Sequence, residues 1–482
     1  MKRKILIIIE TNTYFNELHR LGKTLRKSLK YEPVLFFPSF YPTLARDMAI
    51  CLKEGFVCFD SQGARIAKRC RLLPSANARV LKEESNSLKN LFKHYFPKAK
   101  DLFTFFADRA AKNIFAQMRR IRERVKFGQE VISKTRVSAI VVGGDLVHYD
   151  TKSFIRAAHS KGIPALILPC TMSNALEMAE SYFPLPEYSM KKLSNRIAGC
   201  IFPEWVYCHR GKKLIRLPAY QVWAMKLLRI SPPHPWINNS GFADYILAES
   251  EQMVDYYTCE GIPESQVFLT GALSNDILAK NLKESEKIKT KLYEKYGLVK
   301  GKPLIVSALP PDQLYMVGGR PKCIFSQYND LVGYWVGRLS KIKGWNVIIN
   351  PHPSVNYEDI SFIEKYPVAV STEDITNLIP ACDLFIASVS SVIRWAIACE
   401  KPVLNYDVYH FNYSDYKKTP GVLITGDKGK FEKLLFKLTQ PQKFYVEMVQ
   451  KQKTMSRKWG NLDGKSAQRI FTLLDKAILE GK

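Results

Sequence analysis

Two parallel, doubly wound α/β sheets in one chain are the fold class the sequence predicts, and three observations predict it. Buried-strand runs KILIIIE, PVLFFPS and FVCFD alternate with helix-period segments from the start of the chain. The alternation restarts at KPLIVSALPPDQL and continues through WNVIIN, DLFIAS and PVLNYD. Between the two series lies a charged helical connector, NLKESEKIKTKLYEKYG. A chain of 482 residues has the length for two cores.

In chain order, KILIIIE ends at Glu10 and passes through the polar loop TNTYFNE into the helix LHRLGKTLRKSL. PVLFFPS, a helix around LARDMAICLKE, and FVCFD complete a β-α-β-α-β run. From about Ser85 to Arg136 the sequence is helical and basic with aromatics interleaved. This is read either as helices packed on the sheet with solvated cations, or as a surface for anionic lipid headgroups. VSAIVV then ends at Gly143-Gly144-Asp145, where two glycines permit a sharp turn that presents a carboxylate at a strand's carboxyl end.

Residues from about Pro184 to Ser240 interrupt the pattern with a basic, aromatic, proline-containing insertion. Trp205, Trp223 and Trp236 there are read as an acceptor platform, a membrane-facing surface, or half-buried aromatics of an ordinary insertion. DYILAES resumes the sheet, and QVFLTG brings it to the loop at Gly271. In the second series, Ser307 to Pro311 follow the first strand, and NPHPSVN holds His352 between two prolines that fix the loop backbone. CDLFIASVSSVIRWAIACEKPVLNYD reads as strand, small-residue turn, amphipathic helix, strand. Ser390 and Ser391 in that turn set hydroxyls and free N–H groups at the positive end of a helix, which suits phosphate. Ser390 acting simply as an N-cap is the alternative. Beyond about Glu432 the chain is helical and basic.

The net charge of +27 calls for an anionic partner: nucleic acid, an acidic membrane face, or phosphorylated and acidic substrates. No zinc-finger, RNA-recognition or helix-turn-helix signature is present, so nucleic acid is not expected. The ten cysteines form no CxxC pair and no Cys/His ligand spacing, which points to a reducing compartment with no structural zinc and no cofactor. The apolar run of MKRKILIIIE is too short for a signal segment, and no run is long enough to span a bilayer. The expectation is a cytoplasmic protein, with any contact at the inner face of the cytoplasmic membrane being peripheral.

NPHPS, followed by D-x-x-I-A-S-V-S-S-V and K-P-V-L-N-Y-D, resembles the donor-binding domain of GT-B glycosyltransferases, whose two Rossmann-like domains face a central cleft. The likeness is to enzymes of bacterial surface polysaccharide synthesis: sialyltransferase-like, Kdo-transferase-like and CDP-glycerol (teichoic-acid) polymerase-like proteins. The Gly143–Asp145 segment is also similar to UDP-N-acetylglucosamine 2-epimerases. The resemblance implies that His352, Ser390 and Ser391 hold a CMP phosphate, with Ser307, Gly271 and Thr372 completing the donor-binding set. In that cleft Asp145 fits the general base, a cap of the following turn or helix being its alternative role, with Glu10 the competing base. Arg394 departs from relatives that carry Asp or Glu at its helix position. ILPCTMS and SALPPD stand where epimerases carry a histidine-containing run and an HR-containing loop, and ILPCTMS also lacks the polymerases' His-Gly motif.

The implied domains are an acceptor-side domain over 1–280, a donor domain over 281–435, and helices over 436–482 that cross back to the first domain. The implied activity is inverting, metal-independent transfer of a nonulosonic-acid-type or Kdo-type sugar from a CMP donor to a glycan or lipid-linked glycan. Left open are a UDP-sugar or CDP-glycerol transferase, a 2-epimerase-like enzyme, and a non-catalytic basic RNA- or membrane-binding scaffold.

Overall fold

The computed structural model describes residues 2–39, 41, 43–59, 101–172, 175–314, 323–388, 390–413, 415–440 and 443–481. The part of the basic helical expectation that falls between Ser85 and residue 100 lies outside them.

The first sheet contains β1 (Arg3–Ile8), β2 (Tyr31–Phe36), β3 (Val57–Phe59), β4 (Ala139–Val142), β5 (Ala165–Ile167), β8 (Tyr245–Ala248) and β9 (Val267–Leu269). Its spatial order is β3-β2-β1-β4-β5-β8-β9, and every pairing is parallel. The intervening β6 (Val206–His209) and β7 (Lys212–Ile215) form a separate antiparallel hairpin in the insertion. The second sheet contains β10 (Leu304–Ala308), β11 (Asn346–Asn350), β12 (Ala369–Val370), β13 (Leu384–Ala387), β14 (Val403–Tyr406) and β15 (Val422–Thr425), in the order β12-β11-β10-β13-β14-β15. Its pairings are parallel as well.

Two-residue periodicity explains why both faces of each sheet are dry. In β1 and its continuation, Leu6 and Ile8 enter one core while Ile5, Ile7 and Ile9 enter the other. In β13, Leu384 and Ile386 face one core and Phe385 and Ala387 the opposite one. The strand order reverses direction between β1 and β4 in the first sheet and between β10 and β13 in the second. Such switch points leave a crevice beyond the strands' carboxyl ends, where open α/β sheets bind ligands.

The helices Leu273–Lys283 and Ser285–Tyr296 carry the chain from the first sheet to the second. The return is made by Ser456–Trp459 and Ser466–Glu480. Trp459 packs in the second domain's core, while Ile470, Leu473, Leu474 and Ala477 pack in the first with Ile5 and Ile7. Asp475 clamps this last helix, accepting hydrogen bonds from Tyr31 Oη at 2.5 Å and Arg3 Nη1 at 3.3 Å. Among the described residues, no helix is long and apolar enough to cross a membrane.

The insertion is built around its aromatics. Trp205 is fully buried and Trp236 nearly so, which corrects the expectation that they form an acceptor or membrane-facing surface; Trp223 is half-buried. Arg216 is fully buried too, with Nε donating to the Pro235 carbonyl at 3.0 Å, Nη1 lying 2.8 Å from His148 Nε2, and its guanidinium 4.7 Å above the Tyr182 ring. Burial, with Arg216 adding to it, pushes the His148 imidazole down to about 3, so His148 accepts from Arg216 as the neutral ring.

Candidate active site in the interdomain cleft

Loops beyond the carboxyl ends of β5 and β8 in the first domain meet the element beyond β13 in the second through Arg394, which reaches Cys170 and Glu249, and the loop beyond β11 carries His352. On the second domain's side, Pro351 and Pro353 flank His352, whose Nδ1 accepts the Ser354 N–H at 3.2 Å and lies 2.7 Å from Ser354 Oγ. An accepting Nδ1 places the ring's own proton on Nε2. Desolvation pushes this imidazole down to about 4, so near neutral pH His352 is an uncharged donor through Nε2–H. Asn350, at the end of β11, ties the base of the loop to the strand-end next door by donating to the carbonyls of Ser371 at 2.7 Å and Glu373 at 3.1 Å.

Ser390 and Ser391 lie half-buried on the turn after β13. The helix they introduce is short, Ile393–Ala398, with Val392 at its cap position instead of Ser390. Ser390 Oγ still meets Val392 N–H at 3.5 Å, and its carbonyl accepts from Tyr416 Oη at 3.4 Å. One residue into the helix, Arg394 turns across the cleft. It is almost fully buried and forms an ion pair through Nε with Glu249, which directly follows β8 in the first domain. Its other nitrogens donate to the Ser391 carbonyl at 3.2 Å and to Cys170 of the loop after β5 at 3.4 Å. Pro169, Thr171, Met172, Met253 and Tyr257 line the small cavity around the pair. Burial pushes the Glu249 carboxyl up to about 7, with Arg394 opposing the shift. Nearby, burial raises Glu177 to about 8, with Asp415 of the second domain adding to the rise.

A second ion pair crosses between the domains where Arg20 meets Asp374; Arg20 also holds Glu17 at 3.0 Å. Glu17 in turn accepts the Ser274 N–H at 3.0 Å, at the start of the first crossing helix.

Several predicted site residues have other partners. Asp145 is fully buried, and its two carboxylate oxygens accept the backbone N–H groups of Ser240 and of Phe242, the latter at 2.9 Å. It latches the insertion to the first sheet, both oxygens being engaged by backbone N–H groups. Gly143 and Gly144 give room to a ring: a Cβ on either would strike Tyr14, whose Oη would lie 2.7 Å from one on Gly144. Glu10 is also buried, accepting the N–H groups of Asp150 at 2.5 Å and Thr151 at 2.9 Å together with the Thr151 hydroxyl. It caps the helix Thr151–His159, and burial raises its pKa against these hydrogen bonds.

Ser307 is fully buried and accepts from Trp335 Nε1 at 2.9 Å, which removes it from a donor-binding surface. Gly271 has φ +78°, and a Cβ there would collide with Ser466 of the returning helix, so it serves domain assembly. Thr372 is exposed on the loop after β12. In the sequence Glu249 carries the same strand-end signal as Asp145 and Glu10, a carboxylate immediately after a buried run, here YILA. The basic residue at 394 was its complementary signal.

No family model matches this chain, and no curated protein matches it. Solved structures do. UDP-GlcNAc 2-epimerase from Neisseria meningitidis, bound to UDP-GlcNAc, aligns over 98% of this chain and 100% of its own, with TM-score 0.54 and 12% identity. S. aureus MnaA with UDP aligns over 100% and 99%, with TM-score 0.54 and 13% identity. The wall teichoic acid polymerase TagF aligns over 99% and 89%, with TM-score 0.51 and 12% identity. The fold is therefore GT-B, as the resemblance implied.

Proposed function

We propose that the protein is an inverting glycosyltransferase that takes a nucleotide-activated acidic sugar, with CMP as the preferred carrier, and transfers it to a hydroxyl of a glycan or lipid-linked glycan. The observation that carries this reading is the composition of the cleft. The second domain contributes an uncharged His352 donor, the hydroxyls of Ser390 and Ser391, and a buried guanidinium beside Ser391. A carboxyl of pKa about 7 lies opposite. Nε2–H of His352 and the hydroxyls of Ser390 and Ser391 suit the departing phosphate oxygens. Arg394 suits a sugar carboxylate bound alongside Glu249, the guanidinium serving both.

Glu249 is the general base in this scheme: its pKa of about 7 holds with Arg394 beside it, and a base works best with its pKa near the operating pH. It takes the proton of the acceptor hydroxyl as that oxygen bonds to the anomeric carbon. The bond from the anomeric carbon to the phosphate oxygen breaks, and its electron pair leaves with the nucleotide. A single displacement inverts the anomeric centre.

A UDP-sugar or CDP-glycerol donor is the second reading, favoured by the ligands named for the similar folds: UDP-GlcNAc in the Neisseria enzyme and UDP in MnaA. Isothermal titration with CMP, CDP and UDP decides between them. Saturable binding of CMP, weakened in His352→Ala, is the expected result. Preference for UDP moves the donor to the second reading. Salt-sensitive RNA binding with no nucleotide binding replaces the transferase with a scaffold.

A further inference from the structure

The helix Leu193–Ile201 in the insertion has its polarity reversed. The side facing the protein is small or polar: Ala198 and Gly199 are buried, and a Cβ on Gly199 would strike Met190 and Val206. Asn195, also buried, fixes that side by donating to the carbonyls of Glu187 at 2.8 Å and Ser189 at 2.9 Å and accepting the Ala219 N–H at 3.0 Å. The large aliphatic residues point outward. Leu193 is 64% exposed, Ile197 49% and Ile201 53%, spaced four residues apart on one stripe. A soluble surface helix has the opposite arrangement.

The stripe continues beyond the helix. Phe202 meets Trp223 edge-on at 5.0 Å between ring centroids, and Leu227, one turn past Trp223, is also exposed. Cations border it at the start of the helix, while at its far end Glu204 pairs with Lys226. Lys191, Lys192 and Arg196 are exposed and have no carboxylate partner among the described residues, and the helix itself contains no acidic residue. Three firm contacts on the inner face and three unpartnered aliphatic side chains on the outer one make a preformed surface, apolar at its centre and positive at its edge.

We infer that this face seats the protein on an anionic lipid bilayer, the aliphatic stripe entering the headgroup boundary and the three cations engaging the surface charge. A bilayer is the occupant because the cations match a negative surface, in a chain whose net charge is +27. The inference stands apart from the donor chemistry, because vesicle binding needs neither nucleotide nor turnover.

The test is flotation of the full chain with vesicles of phosphatidylcholine alone and of phosphatidylcholine with phosphatidylglycerol, at low and high salt. Native protein should float with the anionic vesicles at low salt and be largely released at high salt. Ile197→Glu/Ile201→Glu should stay at the bottom of the gradient. Lys191→Gln/Lys192→Gln/Arg196→Gln changes exposed side chains alone, so it keeps the test independent of folding. It should partition about a hundredfold more weakly, since each cation near such a surface contributes about fivefold. Equal flotation with both vesicle types, native-like flotation of the glutamine variant, or no native flotation would each overturn the inference. So would a native chain that self-associates through this face, seen by sedimentation as a dimer lost in the glutamate variant.

Discussion

Arg394 and Glu249 meet across the cleft as an almost fully buried ion pair, one from the helix after β13 and the other from the end of β8. Each is the other's counter-ion, and the two belong to different domains. Removing one therefore differs from removing both. Arg394→Met should destabilise the protein by about 3–5 kcal/mol, because it leaves a buried carboxylate without a partner. Arg394→Met/Glu249→Leu should recover most of that loss. Denaturant melts of the single and double variants check this, and equal losses in the two would contradict it.

Glu249→Gln tests the chemistry. Turnover should fall by about 10²–10⁴-fold while nucleotide affinity holds. Because burial lifts this carboxyl to about 7, the native rate should rise with pH through that value as the group ionises. The stability linkage has the opposite sense. A carboxyl raised above its usual 4.5 holds its proton in the folded state, so its stabilising contribution is complete at low pH and is lost as pH rises towards 7.

Asp145→Asn should behave as a structural variant. The Ser240 and Phe242 N–H groups go to different carboxylate oxygens, so in the amide one of them would confront an NH2 donor. A loss of about 1–3 kcal/mol in stability is expected, with turnover per folded molecule near native. A folded variant of native stability with collapsed turnover would restore Asp145 as the base.

His352 is pushed down to about 4, so nucleotide affinity should be flat from pH 8 to 5 as far as this group is concerned. An imidazolium ligand would instead strengthen binding below about 6.5. His352→Ala should cost about 1.5–3 kcal/mol of nucleotide affinity, the worth of a hydrogen bond to a charged group. Titration calorimetry across that pH range separates the cases.

Gly271→Ala places a side chain at φ +78° and against Ser466. Left-handed backbone alone costs a non-glycine residue about 1–2 kcal/mol. Thermal melting should show the loss, and proteolysis should show the helix Ser466–Glu480 released first.

The alternation of buried strands with helices was legible in the sequence because it is local: strand and helix periods differ, and each strand carries its own apolar run. Proline fixation of the His352 loop was legible for the same reason. The direction of a strand-end side chain was not. Asp145 turns inward because Ser240 and Phe242, nearly a hundred residues later, present two N–H groups to it. Ser307 is enclosed because Trp335 reaches it from the following helix. Trp205 and Trp236 look like surface aromatics beside lysines and arginines, yet the hairpin and the buried Arg216 enclose them. Such partners are fixed by tertiary packing, and no spacing rule encodes them.

The last helix has a consequence for biosynthesis. Its Ile470, Leu473 and Leu474 fill the same core as Ile5 and Ile7, and Asp475 clamps Arg3 and Tyr31. A nascent first domain thus has an open apolar face while the second domain is still being translated. At about 5–20 residues per second, that delay is tens of seconds. Final consolidation of the earliest-made half awaits emergence of the helix some 460 residues downstream, so chaperone dependence should concentrate on the half of the protein made first.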